Sequence, residues 1–289
     1  MSGTHHRPDS PPARSADAPT RTVGAAGARL VYRELGTVDG GPPLVGLTHL
    51  GANLDSWDPE LVDPLAASRR VILLGYRGVG GSTGQVRDRF DDMAADAIAA
   101  IRALGLSRVD LLGLSMGGMV AQEILRQSPG LVERVVLAGT GPQGGPGLTA
   151  MTGVTVRTIL RGAATLTDPT TLLFFTRTTT GKRAATEYRA RLRLRRTGRD
   201  APVTPGVLRG QLRAVNRWGH DDPAPPSSFP GPVSIVHGDS DRMVPVGNAR
   251  ALLARYPGAD LHVFPDSGHG VASQNRGAVV DVMNRLLQR

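Results

Sequence analysis

The chain has no cysteine, so neither a disulfide framework nor a thiolate metal site can form. Lys182 is the single lysine among 34 basic residues. No run approaches the roughly 20 apolar residues that a transmembrane helix needs, so no membrane partner is expected. Residues 1–21 carry Pro8, Pro11, Pro12 and Pro19 among Ser, Asp and Arg, and hold no apolar segment resembling a signal peptide. They are expected to form a disordered tail on a cytoplasmic protein.

What is present fits one enzyme-sized domain. A length of 289 residues with 40% hydrophobic content can fill a substantial core and carry an insertion. The formal charge of +9 is local: residues 143–228 hold 14 basic and 5 acidic residues, whereas the remainder holds 20 of each. Its densest part is Arg189-Ala190-Arg191-Leu192-Arg193-Leu194-Arg195-Arg196, in which Arg189, Arg193 and Arg196 share a helix face by spacing. A solvated face whose arginine stems cover apolar surface accounts for this run, and no nucleic-acid partner is expected.

Short apolar runs at 29–34, 43–48, 71–74, 109–113, 135–138, 233–236 and 261–264 read as strands. Phe90, Met93, Ala94, Ala97, Ile98, Ile101 and Leu104 recur at helical spacing between two of them. Strands alternating with helices predict an α/β fold with a mostly parallel central sheet and helices on both faces. Residues 143–228 break the alternation with helix-like pieces near 151–160, 170–176, 184–194 and 205–218. They are expected to form a helical lid inserted after the sixth strand, on a core made of 22–142 and 229–289. Pro223, Pro225, Pro226, Pro230 and Pro232 mark the return.

The chemistry centres on Gly113-Leu114-Ser115-Met116-Gly117, which lies between the run at 109–113 and a helix-like stretch. A Gly-x-Ser-x-Gly at such a junction holds its serine on a strained turn that only small neighbours allow, with the hydroxyl projecting from the sheet edge. An unactivated hydroxyl is a poor nucleophile and needs a base, itself oriented by a carboxylate. Asp241, in His237-Gly238-Asp239-Ser240-Asp241-Arg242-Met243-Val244-Pro245, and His269, between Gly268 and Gly270, follow strands in the order that this architecture requires. Asp239 competes for the acid role but is better suited to turn formation. His5, His6, His220, His237 and His262 form no metal-ligand set, and neither metal nor cofactor is expected.

These segments, with Arg77-Gly78-Val79-Gly80-Gly81-Ser82, resemble the α/β-hydrolase superfamily from about Val23 to Leu287. Within it the chain looks most like the lidded esterase, lactonase and cofactor-free haloperoxidase group. The resemblance implies an acyl-enzyme mechanism with Ser115 as nucleophile, His269 as proton shuttle and Asp241 as acid. It also implies an oxyanion hole. Counting back from Trp57 puts Thr48 and His49 at the family's His-Gly positions, with Leu50 and Met116 donating N–H groups. The other register aligns His49 with the family histidine and puts Leu50 where glycine is usual. Gly75 departs from the family, which often has Asp there, at the expected cost of a contact to Arg77.

The substrate pocket is expected between the elbow and the lid, with His49, Met119, Phe174, Phe175 and Trp218 as candidate lining residues and Met151 as a further lid wall. The partner implied is a small-molecule ester, lactone or related acyl compound. Perhydrolase or haloperoxidase-like activity is the nearest alternative, and a non-hydrolytic cyclase or ligand-binding role a more distant one.

Overall fold

The computed structural model describes residues 14–36 and 41–288. Eight strands form a single sheet among them: β1 (Thr20–Ala25), β2 (Ala28–Leu35), β3 (Leu44–Leu47), β4 (Val71–Leu74), β5 (Val109–Leu114), β6 (Val132–Ala138), β7 (Val233–Gly238) and β8 (Asp260–Phe264). Their order across the sheet is β1-β2-β4-β3-β5-β6-β7-β8. Only the β1–β2 and β2–β4 pairings are antiparallel.

The helices follow from the same patterning. They are α1 (Pro59–Ala66), α2 (Phe90–Ala103), α3 (Met116–Gln127), α4 (Met151–Thr165), α5 (Pro169–Phe174), α6 (Thr179–Leu192), α7 (Pro205–His220), α8 (Gly247–Arg255), α9 (Val271–Gln274) and α10 (Arg276–Leu287). The central strands read as unbroken apolar runs because both of their faces are covered. Successive side chains point to opposite faces. Val45, Leu47, Ile72, Leu111 and Ile235 therefore join α2, α3 and α8 in one core layer. Leu44, Val71, Leu73, Leu112 and Val236 join α1 and α10 in the other. The mostly parallel sheet with helices on both faces is thus the architecture found.

Four helices, α4 to α7, lie between β6 and β7. Phe175, Tyr188, Val215 and Trp218 join them to the first core layer. In the arginine run Arg193 and Arg196 are exposed, as a solvated face requires, whereas Arg191 and Arg195 are not. Arg191 makes two hydrogen bonds of 2.7 and 2.8 Å to the Asp58 carboxylate, and both residues are buried. Arg195 is also buried, and its guanidinium donates to the carbonyls of Ser15, Ala16 and Ala18. Charge counting reads such residues as exposed because their partners are distant in sequence.

The tail expectation needs the same correction. Residues 1–13 lie outside the described residues, but β1 begins at Thr20, and Ala18 is fully buried. The Arg195 contacts and a hydrogen bond from the Ser15 N–H to Asp63 tie this stretch's backbone to the core, so it belongs to the fold. Gly75 costs Arg77 nothing. Arg77 holds the Asp96 carboxylate bidentately at 2.9 and 3.0 Å. A Cβ at Gly75 would come within 2.9 Å of the Val31 carbonyl oxygen, so no side chain fits there.

Candidate active site

Ser115 sits between the end of β5 and the first residue of α3, with φ 53° and ψ −116°. A positive φ at a non-glycine residue costs about 1–3 kcal/mol and persists only where the surroundings impose it. Here they do. The Ser115 N–H donates to the Ala138 carbonyl on the neighbouring β6 at 2.8 Å, and its own carbonyl accepts from Gly118 at 2.8 Å. Gly117 is required by close approach, since a Cβ there would lie 2.0 Å from the Leu47 carbonyl oxygen.

The loop after β7 delivers Asp241. Its Oδ1 accepts the N–H groups of Met243 and Val244 at 2.8 and 2.9 Å, which fixes the carboxylate plane. Its Oδ2 lies 2.8 Å from His269 Nδ1. A carboxylate can only accept, so Nδ1 carries the proton and Nε2 presents its lone pair. That lone pair lies 2.8 Å from Ser115 Oγ, whose hydroxyl donates to it. Ser115, Asp241 and His269 are all buried. Asp239, two residues earlier, instead points to the surface and accepts from Ser240 and the Ser267 N–H.

Sequence reasoning missed His237. It is fully buried, donates from Nε2 to the Val244 carbonyl at 2.9 Å, and lies 3.6 Å from Asp241 Oδ2. Burial holds its pKa below the usual imidazole range, so a neutral ring backs the carboxylate. Its i, i+4 spacing to Asp241 was the available signal.

The loop after β3 is held from three sides. Tyr76 donates its hydroxyl to the Thr48 carbonyl at 3.0 Å, and the Gly51 N–H donates to Gln211 Oε1 at 2.8 Å. His49 Nδ1 meets the Leu50 carbonyl at 3.0 Å. Gln211 comes from α7 and is fully buried, a second residue that the sequence did not single out.

A cavity of about 30 Å³ adjoins Ser115 and His269. His49, Phe174, Asp58 and Tyr188 line it with Leu61 and Val271. Of the five expected lining residues, His49 and Phe174 are therefore in place. Phe174 stands edge-on to both His49, at 4.8 Å between centroids, and His269, at 5.3 Å. The other three pack elsewhere. Met119 is fully buried in the sheet-side core, as is Met151. Phe175 packs against Tyr188, while Trp218 stands against Phe90 and donates to the Gly141 carbonyl at 3.3 Å. Large apolar side chains on amphipathic helices bury one face first, and of the insertion the end of α5 and Tyr188 of α6 reach the cavity.

Known proteins are similar to this chain. A family model described as alpha/beta hydrolase fold matches residues 42–275. A pimeloyl-[acyl-carrier protein] methyl ester esterase of Nitrosomonas europaea is 28% identical over 236 residues, covering 81% of this chain and 90% of the relative. A non-heme haloperoxidase of Rhodococcus erythropolis is 26% identical over 282 residues, covering 88% and 93%. The solved structure of an alpha/beta hydrolase fold protein from Chitinophaga pinensis superposes with a TM-score of 0.90 at 30% identity, covering 95% of this chain and 99% of that one. The chain belongs to the alpha/beta hydrolase fold family.

Proposed function

We propose that the protein is a serine hydrolase that cleaves a small-molecule carboxylic ester or lactone through an acyl-enzyme intermediate. The observation that carries the reading is the hydrogen-bonded relay from Ser115 Oγ through His269 to Asp241, with 2.8 Å at each step. His269 takes the serine proton as Oγ attacks the carbonyl carbon, and the Asp241 carboxylate stabilises the imidazolium that forms. The same imidazolium then protonates the leaving alkoxide. Water, deprotonated by His269, releases the acid and restores Ser115.

The N–H groups of Leu50 and Met116 are assigned to the developing oxyanion. Met116 is the first residue of α3, so its N–H has no carbonyl one turn back and the helix dipole favours negative charge beside it. The register that would pass this role to Gly51 is disfavoured, because Gln211 already takes up the Gly51 N–H. The α4–α7 insertion acts as a lid over this machinery. A cavity of about 30 Å³ holds only a few water molecules, whereas ligand pockets commonly span roughly 300–1,000 Å³. Substrates with an apolar body therefore enter by displacing Phe174 and its neighbours.

The same small cavity supports a second reading, in which hydrogen peroxide replaces water at a short acyl-enzyme; the haloperoxidase relative supports it too. A single experiment tests both readings. 4-Nitrophenyl esters are offered to the protein and to Ser115→Ala, with and without peroxide and acetate. The variant should lose turnover by at least about 10³-fold. Undiminished turnover would overturn both readings, and acetate-dependent peracid formation by the unaltered protein would favour the second.

A further inference from the structure

His49 holds an orphan acceptor in the site. A carbonyl oxygen only accepts, so the 3.0 Å contact with the Leu50 carbonyl places the ring proton on Nδ1. Nε2 is left with a lone pair, is closed off from solvent, and has no hydrogen-bond partner among the described residues. The ring cannot readily turn to find one, because its Nδ1 bond and its edge-on packing against Phe174 both fix its plane. Burial pushes its pKa down to about 4, so it stays neutral and acceptor-competent near pH 7.

A buried acceptor without a partner costs about 1–3 kcal/mol, and a native structure that keeps one invites the question of what satisfies it. Two hydroxyl donors that line the same cavity are engaged. The Ser115 hydroxyl donates to His269, and the Tyr188 hydroxyl donates to the Ser56 carbonyl. A donor that enters the cavity, in place of water, satisfies Nε2. His49 directly precedes Leu50, the residue assigned to the substrate's carbonyl oxygen, so a group reaching both is only a few bonds from the scissile carbonyl.

We propose that His49 Nε2 accepts a hydrogen bond from a hydroxyl on the acyl part of the substrate, making the enzyme selective for hydroxyacyl esters over their deoxy counterparts. This rests on the reading of Ser115 as the nucleophile. His49 touches the substrate but takes no proton from it, so it sets specificity and leaves the relay unaltered.

The test compares 4-nitrophenyl glycolate with 4-nitrophenyl acetate, each kcat/KM divided by the ester's uncatalysed hydrolysis rate. For the unaltered protein the corrected glycolate-to-acetate ratio should exceed about 10, the worth of one well-made hydrogen bond. His49→Phe keeps the ring packing but removes both the Nε2 acceptor and the Nδ1–H bond to the Leu50 carbonyl, so both esters should slow and the ratio should fall toward one through the larger loss on glycolate. His49→Gln, which restores an acceptor oxygen, should recover part of it. The rate at which a fluorophosphonate labels Ser115 is followed in parallel, so that a general loss transmitted through the Leu50 loop is separated from the loss specific to glycolate. A ratio near one in the unaltered protein overturns the assignment, and this outcome does not depend on any variant folding. Equal losses on both esters in His49→Phe also overturn it, since they would assign the acceptor to the attacking water or to the loop. If the unaltered protein is labelled while its ratio is near one, only the His49 assignment falls. If Ser115 is not labelled at all, the nucleophile reading falls and takes this one with it.

Discussion

The floor and the ceiling of the cavity are held by different kinds of interaction. On the floor, Ser115 and Asp241 take their positions from backbone hydrogen bonds between strand ends and loops. On the ceiling, α5, α6 and α7 are tied down largely by side chains: Arg191 to Asp58, Gln211 to the Gly51 N–H, Arg242 to the Leu172 carbonyl, and Thr178 to Asp266. A backbone bond also joins α5 to the floor, from the Gly270 N–H to the Phe174 carbonyl at 2.8 Å. The exposed large apolar residues follow the same division. Among the described residues, Val156, Leu160, Leu166 and Leu194 belong to the insertion and Val263 to the core. Reaction geometry is therefore built into the sheet, which tolerates little movement. On the proposed reading the insertion governs access, through ties that can be altered one at a time, while selectivity rests with His49 on the loop after β3.

The sharpest way to break this division is through the two aspartates of one loop. Asp241→Asn keeps the bulk but removes the charge and favours the wrong histidine tautomer, so kcat should fall by about 10⁴-fold. Asp239→Asn, whose side chain serves only the turn, should cost less than about tenfold. Steady-state kinetics on one activated ester settles the ranking, and the reverse order would assign the acid to the wrong residue.

A smaller effect is expected from the ceiling. Arg191→Gln leaves the buried Asp58 carboxylate without its bidentate partner, and breaking such a pair costs about 3–5 kcal/mol. Chemical denaturation should report a loss in this range, with limited proteolysis cutting within residues 143–228 before the core. Cleavage beginning in β3 to β6 instead would show that the two regions do not differ as described.

The smallest effect concerns pH. His49 is neutral in the fold, with its pKa held at about 4 against an ordinary 6.5. Between those values the unfolded chain binds a proton that the native state does not, so stability rises with pH across this window. The contribution is complete above about 6.5 and lost as pH falls toward 4. Urea midpoints at pH 7 and pH 5 should therefore differ more for the unaltered protein than for His49→Phe. An identical pH response in the two proteins would contradict a buried neutral His49.

Much of the sheet could be read directly from residues. The runs at β3 and β4 are buried on both faces, and burial on both faces is what makes a strand visible as a continuous apolar stretch. Strand β1 was overlooked for the opposite reason: only Val23 and Ala25 of its six residues are buried, the mark of an edge strand. Ser115, Asp241 and His269 were legible because the elbow must be built from small residues and the other two follow strand ends. The cavity wall was not. Whether Phe174 or Phe175 reaches it depends on how α5 ends, and whether an arginine is solvated depends on a partner such as Asp58, 133 residues from Arg191. Local periodicity carries no record of contacts at that distance.

The central claim is that Ser115 is a nucleophile activated by His269. The most direct test is to treat the native protein with a fluorophosphonate probe and locate the adduct by peptide mass mapping. The account predicts a single modification on the Ser115 peptide, abolished by heat denaturation and strongly slowed in His269→Ala. Native, folded protein that leaves Ser115 unmodified, or that is labelled equally fast without His269, would contradict it.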